Sequence, residues 1–164
     1  MIVTATAIEL DGGPRVELLD ATAWALTEPA LRRLARSRSG GARCNGEHVS
    51  RSYCFPYALV GRHGDRVGVD IERVVACDEA FARSICTPAE EARAPWGSDR
   101  QIISLWSGKE ALAKALGDAV AYDPRRLDSP AGWADGAAGP WRAGAIPVPD
   151  GYCAWACWRV SAGD

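Results

Sequence analysis

The chain has 164 residues, 48% hydrophobic and 24% charged, a balance that excludes a disordered protein and suits one ordinary domain or two small lobes sharing a core. Its formal net charge of −2 supplies no basic field for nucleic acid, and no apolar run approaches the length of a bilayer span. The stretch MIVTATAIELDGG lacks a basic segment followed by an apolar one, so no signal peptide and a cytoplasmic location are expected.

In chain order, IVTATAIEL (2–10) is β-prone and ends in the turn signal DGG. TEPALRRLARS (27–37) reads as a helix, with Thr27 as N-cap, Pro29 in the first turn and Leu31 and Leu34 on one face. It runs into the loop SRSGGARCNGE; the arginines of this region are read as a solvated helix face in preference to a contact for phosphate. YALVG (57–61), the turn RHGD and RVGVDIE (66–72) read as two strands around a tight connection. DEAFARSI (78–85) looks helical. TPAEEARA (87–94) starts a new helix with Thr87 and Glu90 at capping-box spacing. RQIISLWSGKEALAKALG (100–117) carries the strongest helical pattern, and Gly117 provides its stop. Short strands follow around 142–148 and 152–160. Hairpins mixed with helices indicate an α+β fold rather than a doubly wound parallel sheet.

Two compositional features bear on chemistry. Arginine supplies 17 of the 19 basic residues, as a GC-rich genome would dictate, yet the two lysines, Lys109 and Lys114, fall in one short segment. The six cysteines (Cys44, Cys54, Cys77, Cys86, Cys153 and Cys157) contain no CxxC pair, and only His48 and His63 could complete a zinc site. Cys153 and Cys157 are expected to be buried thiols in a reducing compartment, with a metal or a disulfide as the minority alternative.

Asp70 and Glu72 are two apart on a predicted strand and so share a face. Val67, Val69 and Ile71 take the other face. Like charges side by side are costly when buried unless a cation lies between them, but harmless on a solvated edge; periodicity leaves both readings open. Glu110 and Lys114 have the spacing of an ordinary helical ion pair, which also explains them without any site.

VGVDIE (67–72) followed by WSGKEALAKALG (106–117) resembles the signature of the 4′-phosphopantetheinyl transferases: a G-[IV]-D-x-E strand, then W-[ST]-x-K-E-[AS]-x-x-K. Either half alone is common, whereas both in this order and spacing are specific. CTPAEEA, YDPRRLD and GYCAWA are also similar to family segments, so the resemblance spans residues 50–157. Trp106 and the length ahead of GVDIE resemble the monomeric, surfactin-type branch. That implies two related α+β lobes with pseudo-twofold symmetry and the active site between them. Residues 1–65 would form a shortened N-terminal lobe, and 66–164 a C-terminal lobe carrying the metal motifs.

The resemblance implies that Asp70, Glu72 and Glu110 bind Mg²⁺ on the pyrophosphate of coenzyme A. A serine of an apo acyl or peptidyl carrier protein would receive the phosphopantetheine arm, releasing 3′,5′-ADP. Glu110 matches the general base, and Lys114 matches a catalytic lysine that contacts phosphate and stabilises the leaving group. Lys109, Lys114, Ser52 and Tyr53 fall at coenzyme A-contacting positions, and Trp106 is expected to pack behind the metal. The chain departs from the family at S-H-[ST], where Ser52-Tyr53-Cys54 stands instead. Tyr53 can donate a hydrogen bond but cannot become cationic. The family's G-[KR]-P segment is replaced by GGARCNG. Two alternatives on the same scaffold therefore stay open: a non-catalytic binder of carrier protein or nucleotide, and an enzyme of different chemistry.

Overall fold

The computed structural model describes residues 5–40, 43–44, 46–93 and 97–161, which form an α+β fold. Strands β1 (Thr6–Glu9) and β2 (Arg15–Asp20) form an antiparallel hairpin across the DGG turn. Helix α1 (Glu28–Ser39) follows, with Thr27 at its N-cap position but without a side-chain capping bond. The short β3 (Arg43–Cys44), β4 (Glu47–Cys54) and β5 (Tyr57–His63) complete a five-stranded sheet of order β1-β2-β5-β4-β3. The predicted loop at SRSGGARCNGE thus contains a small strand. Residues 2–4 of the predicted first strand lie outside the described residues.

The chain then changes sheet. β6 (Val67–Arg73) does not pair with β5; it forms the edge of a second antiparallel sheet and pairs with the last strand. The expected hairpin across RHGD is corrected accordingly: the turn hands the chain from one sheet to the other, so both strands meet face to face. Helices α2 (Glu79–Ile85), α3 (Pro88–Glu91) and α4 (Asp99–Leu116) follow. The capping box at Thr87 and Glu90 forms, although α3 is shorter than its pattern predicts. Gly117 ends α4 in the left-handed conformation, where a residue without Cβ is least strained. β7 (Ala137–Ala138), β8 (Trp141–Ala145) and β9 (Tyr152–Arg159) give the second sheet the order β6-β9-β8-β7. Among the described residues no helix is long and apolar enough to cross a membrane.

The layers run α1, first sheet, second sheet, α4. Leu19, Ala58 and Val60 pack with Leu31 and Ala35 of α1 on one face of the first sheet. Val16, Leu18 and Leu59 on its other face meet Val67, Val69, Ile71, Ala154, Ala156 and Trp158 of the second. Cys157 on the far face of the second sheet packs on Ala111, Leu112 and Ala115 of α4. Besides the two-residue β3 and β7, two longer strands were not legible in advance. β2 is buried on both faces, so it lacks clean alternation; β4 points serines, not aliphatic residues, at the second sheet.

Those serines close the open edge of β6. Ser50 Oγ accepts from Val69 N–H at 3.0 Å and Ser52 Oγ from Ile71 N–H at 3.2 Å. Buried edge amides need partners, and here a side-chain ladder replaces a neighbouring strand. On its other side β6 touches α4 closely, because a Cβ at Gly68 would stand 1.9 Å from the Ala111 carbonyl oxygen and 2.6 Å from the Ala115 nitrogen. Backbone atoms cannot yield as a flexible side chain would. Gly68→Ala should therefore cost about 3 kcal/mol or more, read from urea unfolding. An unchanged midpoint would show that this contact does not seat the helix.

Candidate active site

Helix α4 presents three different faces. Ala111 and Ala115 lie on the second sheet, Ile102 packs against α2, and Trp106, Glu110 and Lys114, spaced four apart, form a row beside the edge of β6. Asp70 and Glu72 occupy the same face of β6, as their spacing predicts. The structure thus brings Asp70, Glu72, Glu110 and Lys114 to one seam.

Asp70 is 3% exposed, so the solvated-edge reading fails for it. Its Oδ1 accepts from Ser52 Oγ at 3.0 Å and from Lys114 Nζ at 2.7 Å, while its Oδ2 is buried without a partner. Lys114 also donates to the Val69 carbonyl at 3.1 Å. The ion pair expected between Glu110 and Lys114 is therefore replaced by one between Lys114 and Asp70. Glu72 is half-buried, and burial, then the Asp70 charge, push its carboxyl up to about 7, against the opposing hydrogen bond from Trp106. Trp106 stands at the edge of Phe81, 6.3 Å between ring centroids, and packs against the cluster of Ala82, Ile85, Cys86 and Ile102. Burial also raises Glu110, opposed by a hydrogen bond that Tyr122 Oη donates to its Oε1.

These groups have the chemistry of a hard-cation site: an Asp70 charge close enough to raise both Glu72 and Glu110, and a buried anionic oxygen lacking a donor. Among the described residues no group of three acidic, cysteine or histidine side chains converges tightly enough to hold an ion as it stands. Asp70 is instead turned onto Lys114, and Glu110 onto Tyr122. The donor set fits a hard cation; the convergence is incomplete.

Residues 66–138 match the family model of the 4′-phosphopantetheinyl transferase superfamily. No curated protein matches the chain. The superfamily segment contains Asp70, Glu72, Lys109, Glu110 and Lys114, and also Tyr122, which motif reading passed over although YDPRRLD carries it. Ser52 lies outside that segment and reaches the site only through the packing of the two sheets.

Two expected coenzyme A contacts are corrected. Lys109 is fully buried, facing away from the carboxylates, and its ammonium gives its three donors to Glu90 Oε2 at 2.6 Å, the Pro124 carbonyl at 2.8 Å and the Ile85 carbonyl. No donor is left for a phosphate. One helical position from Glu110 means a rotation of about 100°, which separates a site residue from a core one. Tyr53 also points the wrong way: it packs with the α1 cluster beneath the Arg32 guanidinium, 4.8 Å from its ring centroid, whereas Ser52 faces Asp70. Alternation along β4 decides this. Half-buried Cys54 shares Ser52's face, and the Glu72 charge adds to the effect of burial in raising its thiol. All five cysteines with described side chains are free thiols. A cavity of about 680 Å³, bordered by Gln101, Leu105, Trp133 and Trp155, is lined by none of the three carboxylates.

Two outcomes follow. Lys109→Met leaves Glu90 charged and buried, and should cost about 3–5 kcal/mol in urea unfolding; a loss below about 1 kcal/mol would overturn the assignment of Lys109 as a core ion-pair residue. Glu72 titrates near 7 when folded and near 4.5 when unfolded, so between these values the folded state holds the extra proton. Stability of the metal-free protein should therefore decline from about pH 5 to about pH 8, with a shallower slope in Glu72→Gln. A slope of the opposite sign, or one unaltered by the substitution, would refute this.

Proposed function

We propose that the protein is a Mg²⁺-dependent 4′-phosphopantetheinyl transferase that moves the phosphopantetheine arm of coenzyme A to a serine of an apo acyl or peptidyl carrier protein. The observation that carries this reading is the orphaned Asp70 Oδ2, buried beside Glu72 and within the field of Glu110. Asp70, Glu72 and Glu110 would hold the ion, which when bound supplies positive charge to the coenzyme A pyrophosphate.

The protein's own groups have separable tasks. Lys114, anchored by two bonds to Asp70 Oδ1 and the Val69 carbonyl, has one donor left for a phosphate oxygen. Glu110, with its basicity raised by burial, accepts the serine proton as that oxygen bonds to the β-phosphorus. The bond from that phosphorus to the bridging oxygen breaks, and 3′,5′-ADP leaves with the bonding pair. Ser52 orients Asp70 rather than touching coenzyme A, which replaces its role in the motif reading. With the first sheet built from residues 6–63 and the second from 67–159, we read the chain as two lobes, 1–65 and 66–164, of a monomeric surfactin-type enzyme with a short first lobe.

The test is intact-mass spectrometry of several apo carrier proteins incubated with the protein, coenzyme A and Mg²⁺. A gain of one phosphopantetheine arm is expected, reduced about 100-fold or more in Asp70→Asn and Glu110→Gln. Either variant working at the wild-type rate would refute its residue's role. Coenzyme A binding without any transfer would instead identify a binder on a transferase scaffold.

A further inference from the structure

Adjacent residues Lys109 and Glu110 point to different sides of α4, yet both reach the same segment beyond the helix. Lys109 Nζ donates to the Pro124 carbonyl at 2.8 Å, and Glu110 Oε1 accepts from Tyr122 Oη. Between them the chain is fixed by Asp118 N–H on the Ala113 carbonyl at 2.9 Å and Tyr122 N–H on the Asp118 carbonyl at 3.2 Å. Its side-chain burial is slight: Val120, Ala121 and Asp123 are exposed, and Tyr122 is half-buried. Tyr122 belongs to none of the hydrophobic clusters formed by the described residues. An aromatic ring with no place in the core, on a segment pinned from beneath by a buried ammonium, is held there for its hydroxyl.

We propose that Tyr122 is a positioning residue for Glu110: its hydroxyl, delivered by a segment that Lys109 anchors at Pro124, holds Oε1 and leaves Oε2 to face Asp70 and Glu72. The same device operates at Asp70, where Ser52 and Lys114 occupy Oδ1 and leave Oδ2 bare. At Asp70 and at Glu110 alike, the recorded side-chain bonds fall on one carboxylate oxygen. A carboxylate whose rotation is restrained in advance loses less freedom on taking up a cation, and partners of this kind are worth about 10–100-fold in metal affinity. The inference rests on the reading of Glu110 as a metal-binding carboxylate.

The experiment is a Mn²⁺ titration of the full chain, followed by loss of the free-ion EPR signal, together with transfer kinetics. Tyr122→Phe keeps the ring and removes the hydroxyl. It should keep the wild-type Tm, weaken Mn²⁺ binding about tenfold and lower kcat with little change in KM for coenzyme A. In a Glu110→Gln background the same change should have no further effect on Mn²⁺, a coupling that a purely structural tyrosine would not produce. Mn²⁺ affinity in Tyr122→Phe within about twofold of wild type, equal effects in both backgrounds, or no Mn²⁺ uptake by the wild type would overturn the proposal. Mn²⁺ uptake that depends on Asp70 and Tyr122, without modification of any carrier, would sink the transferase reading and leave the positioning role standing.

Discussion

The close seat of α4 on β6 is the contact on which the rest depends. Gly68 has no Cβ, so the helix backbone at Ala111 and Ala115 lies directly against the strand. A shorter interaxial distance brings Lys114 within reach of both the Val69 carbonyl and Asp70, and sets Glu110 beside them. A methyl group at Gly68 would lift the helix away from the carboxylates it serves. Packing geometry here determines electrostatics, because Coulomb interactions at a few ångströms change steeply with separation.

Two buried charges are then managed differently. Asp70 is compensated by Lys114 and Ser52 on one oxygen only, an incomplete arrangement that a folded core would not retain for stability alone. Glu90 is satisfied on both oxygens, by Lys109, the Thr87 amide and the Ser129 amide, and so belongs to structure. The chain's two lysines divide accordingly. Lys109 ties α2, α3 and the segment after α4 into one unit, while Lys114 stands half-buried at the seam with a donor to spare.

The fold class, the long helix with its Gly117 stop, the capping box and the shared face of Asp70 and Glu72 were legible because each depends on residues a few positions apart. The hairpin expected across RHGD failed because tight connections join strands of different sheets as readily as strands of one, and local chemistry does not distinguish them. β4 was missed because its inward positions are Ser50 and Ser52, which serve the edge of β6 rather than an oily core. Tyr122 was missed because nothing in YDPRRLD marks a hydroxyl that acts on a residue one helix earlier.

The motif spacing alone determined which acids and lysines could gather, since periodicities of two and about 3.6 place Asp70 with Glu72 and Trp106 with Glu110 and Lys114. Only the tertiary structure decided which lysine faces the site, which oxygen of each carboxylate is free, and that Ser52 rather than Tyr53 reaches Asp70. The physical reason is that a side chain's role follows from its partners. For Lys109, Lys114, Ser52 and Tyr122 those partners come from other elements, brought near by packing that no local pattern encodes.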